Sequence, residues 1–341
     1  MGGPMITAAD DAMHIPVTDD FWWSETYYFN FDAPEAGLSC IVYPWLRANL
    51  GVATCGVAVW DGFATSPFQM RLYDWQQQLP MPEGGLPDVS FANGVSIQCI
   101  EPLMKYRLRY SSATSISQKT SFDVTWEGIA PPHEVLTQDL RFLGKGHYDQ
   151  LGHARGWLQI DDERYVIDSY VGRDRSWGPR HDLGDGMGYA TTTLGVASPE
   201  LGWHLMCAGS SEVDYNCVGG VLYVDGEMRR LQTATREVLR RHASGRPEVV
   251  RVSGVDQKGR RLHVTGEAVN GAPFHARPNL FSWVTAMRWE GGGDDRGVTF
   301  YGQDQDAWSF NLYRDRVREG RFEMGAVEST TSLPAGNAST K

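Results

Sequence analysis

The stretch Y-V-I-D-S-Y-V-G-R-D-R-S-W-G-P-R, Tyr165 to Arg180, decides how the chain folds. Its first half alternates: Tyr165, Ile167 and Val171 fall on one face, Val166, Asp168 and Tyr170 on the other. A period of two is the mark of a strand. Gly172 frees the backbone, and Gly178-Pro179 ends the ladder, because proline has no N–H to give. Between these breakers Arg173, Asp174, Arg175, Ser176 and Trp177 put charge, hydroxyl and indole where a core strand carries aliphatics. Such a local departure from pattern is where functional or strained sites are expected. In an extended run Asp174 points one way and both neighbouring arginines the other. Its charge partner therefore comes from elsewhere in the chain, and Arg180 is one candidate.

Strand patterns continue on either side. Trp23, Glu25, Tyr27 and Phe29 share a face opposite Trp22, Ser24, Thr26, Tyr28 and Asn30. Leu38–Trp45 and Val52–Trp60 follow, with Asp61-Gly62 as a hairpin signal. Met104, Tyr106, Leu108 and Tyr110 oppose Lys105, Arg107 and Arg109, and Phe122, Val124 and Trp126 oppose their polar neighbours. One wet and one buried face is what an antiparallel barrel wall requires. From Gly188 the pattern restarts and runs to Tyr301. Gln78–Asn93 reads as a loop over a cavity mouth, Gln232–Arg241 as a short helix, and residues 1–20 as a poorly ordered lead-in. Many short strands with almost no helix define an all-β class of barrels or sandwiches. The domain boundary is placed near residue 180: residues 1–180, then 181–329, then a flexible Ser/Thr-rich tail, 330–341.

At 341 residues the chain can bury two cores. Its 12 tryptophans and 11% aromatic content suit a ring-lined cavity. A net charge of −11 argues against general nucleic-acid binding, which needs a basic footprint. No apolar run approaches the roughly 18 residues of a membrane span, and the N-terminus carries no secretory pattern. Cys40, Cys55, Cys99, Cys207 and Cys217 are odd in number with no C-x-x-C, which indicates free thiols and a cytoplasmic protein. The arginines from Arg229 to Arg261 form either a dock for an anionic carrier, phosphate or partner or, more plainly, a solvated face with local ion pairs.

The run R-D-x-S-W-G-x-R at Arg173–Arg180 resembles the signature of the two-domain lipocalin-like family that contains carotenoid 1,2-hydratase (hydroxyneurosporene synthase) and kievitone hydratase. F-W-W-S-E-T-Y-Y-F at Phe21–Phe29 and H-Y-D-Q-L-G-H-A-R-G at His147–Gly156 extend the resemblance over about half the chain. The family's usual His in the variable slot is Arg175 here, so a proton relay through that position cannot run: arginine stays charged. What the resemblance implies is two consecutive lipocalin-like (calycin) antiparallel β-barrels and an apolar substrate. It also implies that Asp174 is a general acid that protonates an alkene, after which water captures the cation. Such an acid must stay protonated, which requires an apolar pocket, and nearby rings would stabilise the cation.

Asp174 is either that acid or half of a structural ion pair. Glu25, among Trp23, Tyr27 and Phe29, is a second acid or base if its face is buried and merely solvated if not. His147, Asp149 and His153 share parity, and H-x-D-x3-H could clasp a metal. With no further cluster the reading is that no metal is held and that His147 shuttles protons. His204, His263 and His275 stand alone. Trp177, Arg180, Trp23, Tyr27 and Tyr170 are the candidate substrate contacts, Trp177 doubling as a packing anchor. P-loop, G-x-G-x-x-G, G-x-S-x-G and H-E-x-x-H patterns are missing, so chemistry that needs only acid, base and shape remains. The sequence thus points to a cofactor-independent hydratase or dehydratase of a hydrophobic terpenoid, polyketide, steroid or aromatic substrate. The alternatives are an isomerase or cyclase, pericyclic ones included, and a non-catalytic carrier of an apolar ligand.

Overall fold

A computed structural model describes residues 6–82, 84–112, 119–134, 144–180, 188–277 and 279–323. Twelve strands build the first sheet: β1 (Trp23–Ala33), β2 (Leu38–Arg47), β3 (Val52–Asp61), β4 (Leu72–Pro80), β5 (Gly84–Gly85), β6 (Asp88–Ser90), β7 (Ser96–Glu101), β8 (Lys105–Ser111), β9 (Thr120–Gly128), β10 (His133–Glu134), β11 (Gly146–Ile160) and β12 (Glu163–Pro179). Their order is β4-β3-β2-β1-β12-β11-β9-β8-β7-β6-β5, with β10 on β11; the sheet curls into a half-barrel without closing. Eight more strands close a barrel in chain order: β13 (Tyr189–Ser198), β14 (Leu201–Ser211), β15 (Asp214–Val224), β16 (Glu227–Arg241), β17 (Pro247–Asp256), β18 (Arg261–Arg277), β19 (Leu280–Gly291) and β20 (Thr299–Ser309). Helices are few: α1 (Ala8–Asp11) near the start and α2 (Phe310–Arg318) after the barrel. No described helix is long and apolar enough to cross a membrane. All five cysteines are free thiols.

The alternation read in β1 and β12 explains how the halves meet. Inward, Tyr27, Phe29 and Phe31 join Val42, Cys55, Tyr106 and Trp126 in the core of the first sheet. Outward, Tyr28 joins Ile41, Tyr43 and Trp60, which pack against Ala272, Phe274 and Val284 of the barrel. Both faces of β1 are thus covered, which is why it carries aromatics on both sides. Polar ties cross the same seam: Tyr28 donates to Gln303 Oε1 at 2.8 Å, and Trp60 Nε1 to Asn270 Oδ1 at 3.0 Å.

Four expectations are corrected. Gln232–Arg241 lies in strand β16, because Ala234, Arg236 and Val238 turn toward the barrel interior with period two. Gln78–Asn93 contains the end of β4 and the short strands β5 and β6 rather than being all loop. The lead-in holds α1, started by a Thr7–Asp10 capping box, and its Asp11 is buried. Most of the arginine block makes local ion pairs, but it is not all solvated: Arg236 and Arg246 are buried. The region 181–187 and the tail from 330 lie outside the described residues.

Candidate active site at the seam

Strand β12 runs unbroken through the motif and divides it by parity. Register pairs Tyr28 of β1 with Asp174 and Thr26 with Ser176. On the other side Asp149 of β11 pairs with Asp174 and His147 with Ser176. These residues share the outer face of the first sheet, against the barrel. Arg173 and Arg175 turn to the inner face, as the alternation predicts.

A cavity of about 90 Å³ lies there, walled by Asp174, His147, Ser176 and Arg180 from the first sheet and by Met206, Phe274 and Gln305 from the barrel. Tyr28 and Tyr43, edge to face at 5.7 Å, line it too. The Asp174 carboxyl accepts no hydrogen bond among the described residues. Burial pushes its pKa up to about 6, the His147, Arg180 and Arg173 charges pulling the other way. His147 is fixed at both ring nitrogens, Nδ1 to Ser176 Oγ at 2.7 Å and Nε2 to Asp149 Oδ2 at 3.0 Å. Burial would lower the His147 pKa, but the Asp149 carboxylate outweighs it and carries it above the usual value. One wall of the site is therefore a neutral-to-ionised acid, and beside it an imidazole held to its own carboxylate.

The chain of imidazoles continues. His133 Nε2 lies 2.9 Å from His204 Nδ1, and His204 Nε2 lies 3.8 Å from Asp149 Oδ1. These three residues bring ligating atoms within 4.8 Å of one another, yet the His133–His204 hydrogen bond already occupies one nitrogen of each ring. As it stands, His133 and His204 form a buried hydrogen-bonded pair, and His204 Nε2 faces Asp149 without a hydrogen bond. Burial lowers the His133 pKa to about 3, with the neighbouring His204 adding to the fall. His204 therefore does not stand alone, and His133 is a site residue that the sequence reading missed. His153, of the H-x-D-x3-H pattern, pairs instead with Asp168 at 2.5 Å.

The remaining candidates are elsewhere. Glu25 is buried on the inner face, held by Arg175, by Trp23 Nε1 at 3.2 Å and by His14 at 3.3 Å. Trp177 stacks on His14 at 4.3 Å, and Tyr27 donates to Asp11 at 2.5 Å, so Trp23, Glu25, Tyr27 and Trp177 lie apart from the Asp174 cavity. Tyr170 packs on His153 at 4.5 Å. A roomier apolar hollow of about 460 Å³ sits at the end of the barrel under α2, lined by Phe281, Trp283, Phe310 and Tyr313. His275 and Glu323 line it as well, but no hydrogen bond or ion pair joins them among the described residues, in contrast to His147 and Asp149 beside the smaller cavity. The chemistry is therefore assigned to the smaller cavity.

Replacing Asp149 by Asn removes the charge that sustains His147. The His147 pKa is expected to drop below the ordinary 6.5, because burial then dominates. Stability should fall by roughly 1–3 kcal/mol. Histidine NMR titration reads the first effect and urea unfolding the second; an unmoved His147 titration contradicts the assignment.

Fold and site define an all-β protein, a curled sheet and an eight-stranded barrel with an acid–base cavity at their seam. The chain belongs to the family described as Domain of unknown function (DUF7064), whose model matches residues 7–301. No curated protein sequence matches the chain. Its fold is similar to that of a putative AttH from Nitrosomonas europaea (TM-score 0.59, 15% identity, 91% of this chain and 98% of that one). It is also similar to kievitone hydratase from Nectria haematococca (TM-score 0.57, 13% identity, 91% and 95%). A third similar structure is CghA (TM-score 0.50, 14% identity, 87% and 93%). The fold expected from the resemblance is therefore the fold found.

Proposed function

We propose that the seam cavity adds water to, or removes it from, a carbon–carbon double bond of an apolar molecule, with Asp174 as the acid. The observation that carries this reading is a half-buried Asp174 carboxyl, accepting no hydrogen bond among the described residues, that opens on a slot walled in part by Tyr28, Tyr43 and Phe274; burial raises its pKa to about 6. The protonated carboxyl gives its proton to one alkene carbon, and the cation on the other faces Tyr28, Tyr43 and Phe274. Water attacks that cation, and the proton it sheds restores Asp174. In the reverse direction the protonated carboxyl gives its proton to the hydroxyl, water leaves, and the resulting carboxylate takes the proton from the neighbouring carbon. His147, hydrogen-bonded to Ser176 and Asp149, holds the charge balance beside it, and Arg180, on the same wall, would orient the polar end of the alcohol. A cavity of this size takes the reacting end of a substrate and one water, not the whole of a terpenoid or polyketide. The fold shared with kievitone hydratase is in keeping with the reading.

The 460 Å³ hollow favours a second reading, a carrier that binds an apolar ligand without changing it. Both are tested by incubating the protein with apolar cell extract in heavy-isotope water. A hydratase leaves labelled oxygen on carbon and deuterium on the neighbouring carbon. Deuterium without oxygen indicates an isomerase or a proton-initiated cyclase. Unlabelled ligand recovered bound to the protein supports the carrier and rejects the acid.

A further inference from the structure

The arginines of the motif, turned away from Asp174, each meet a carboxylate inside the first sheet. Arg175 holds Glu25. Arg173 holds Asp11 through Nη1 at 3.2 Å, and Asp11 belongs to no strand: it arrives on α1 from outside the sheet. There it is buried and receives the hydroxyls of Tyr27, at 2.5 Å, Tyr106 and Tyr148. Four strands, β1, β8, β11 and β12, thus supply three phenols and one guanidinium to a single carboxylate. The other polar partners of Arg173 are neutral: Gln150 Oε1 at 2.8 Å, the Leu103 carbonyl at 3.4 Å and the Tyr148 hydroxyl at 3.4 Å. Burial disfavours charge on Asp11, but Arg173 and the three phenols outweigh it and hold its pKa below the usual value.

Besides Asp11, the arm is held by His14, whose Nδ1 lies 3.3 Å from Glu25 Oε2, and by Asn49, which donates to the Thr18 and Asp20 carbonyls at 2.8 and 2.7 Å. The Ala12 carbonyl accepts from Arg175 Nη2 at 2.8 Å, and Met13 packs on the sheet's core. His14 stacks on Trp177. Beyond it Ile15 and Val17 are 87% and 68% exposed. No described residue before Trp23 pairs in a sheet, so residues 7–14 can leave without breaking a ladder. The cradle would stay, because its side chains stand on strands paired along both edges.

Charge-assisted bonds from a guanidinium and convergent hydroxyls, set in an aromatic hollow, are how a protein captures an acidic apolar ligand. We propose that the interior of the first sheet is a second binding site, for an apolar molecule bearing a carboxylate, and that residues 7–14 fill it in cis as a tethered substitute. A tether of this kind competes at an effective concentration on the order of millimolar, so free ligand binds weakly until the arm is weakened. The site lies on the face of β1 and β12 opposite to Asp174, so it stands or falls independently of the seam chemistry.

The probe is octanoate, with neutral octanol as control, on the full-length chain. Octanoate should bind saturably and speed amide exchange in residues 7–14. Asp11→Asn, near-isosteric, should bind octanoate roughly tenfold or more tightly than wild type, because the competing charge is gone, and octanol should show no such gain. Three results overturn the proposal: no octanoate binding by either protein, equal affinity in both, or saturation that leaves exchange in residues 7–14 unchanged or slower. Should Asp11→Asn fail to fold, the wild-type exchange measurement decides alone.

Discussion

At pH 7.5, Asp174→Asn should lower turnover by roughly 10²–10⁴-fold while leaving the protein more stable, by about 1–3 kcal/mol. The two effects share one cause. Burial raises the Asp174 pKa from an ordinary 3.8 to about 6, so the folded state binds this proton more tightly than the unfolded one. The contribution to stability is fully present below about pH 3.8 and is lost as pH rises to 6, above which the buried carboxylate is a fixed cost. Asn cannot ionise, so the variant should lose this decline between pH 4 and 6. It also cannot give a proton to carbon, so chemistry stops while the cavity keeps its shape. Urea unfolding across pH checks the first effect and labelled-water turnover the second. A variant less stable than wild type at pH 7.5, or one with full turnover, removes Asp174 from the role of acid.

The second large effect lies inside the barrel. Arg236→Leu should cost roughly 3–5 kcal/mol, read as a fall in Tm on the order of 10 °C. Arg236 donates to Asp304 at 2.8 and 2.6 Å, to Asp306 at 3.1 Å and to the Tyr189 hydroxyl at 3.0 Å, all of them buried. Its loss leaves Asp304 with Thr193 Oγ1 at 2.6 Å, and leaves Asp306 with Arg241, Trp308 Nε1 and the Tyr189 hydroxyl. A carboxylate stripped of its cation in a dry interior costs far more than the pair itself contributes. Arg236→Leu combined with Asp304→Leu should therefore be milder than Arg236→Leu alone. A single variant that loses less than about 1 kcal/mol would mean water reaches this network.

What the sequence made legible was parity. Alternation along Tyr165–Arg180 correctly separated Asp174 from Arg173 and Arg175, and alternation along Phe21–Phe29 put Trp23, Glu25, Tyr27 and Phe29 on one face. What parity could not supply was which strand lies beside which. Glu25 and Asp174 looked like a pair of acids, yet the register sets Glu25 opposite Trp177 and Tyr28 opposite Asp174, on opposite faces of the sheet. His133 and His204 meet from β10 and β14, which belong to different sheets, and no local pattern brings them together. Asp11 sits on a four-residue helix with no apolar stripe; its burial is decided by three tyrosines far along the chain. Gln232–Arg241 carries good helix formers, but barrel closure by β16 overrode their propensity. The cavity itself proved smaller and more polar than the composition suggested, because Ser176 of the first sheet and Thr191, Thr192, Ser282 and Gln305 of the barrel share its wall with the rings.

The account rests on a carboxyl at the seam that holds its proton to a higher pH than an ordinary aspartate. A carbon-13 NMR titration of the Asp174 carboxyl, assigned by its loss in Asp174→Asn, measures this directly. The account predicts a midpoint near 6. A midpoint at or below the ordinary 3.8 would show a carboxylate stabilised as an ion, and would contradict it.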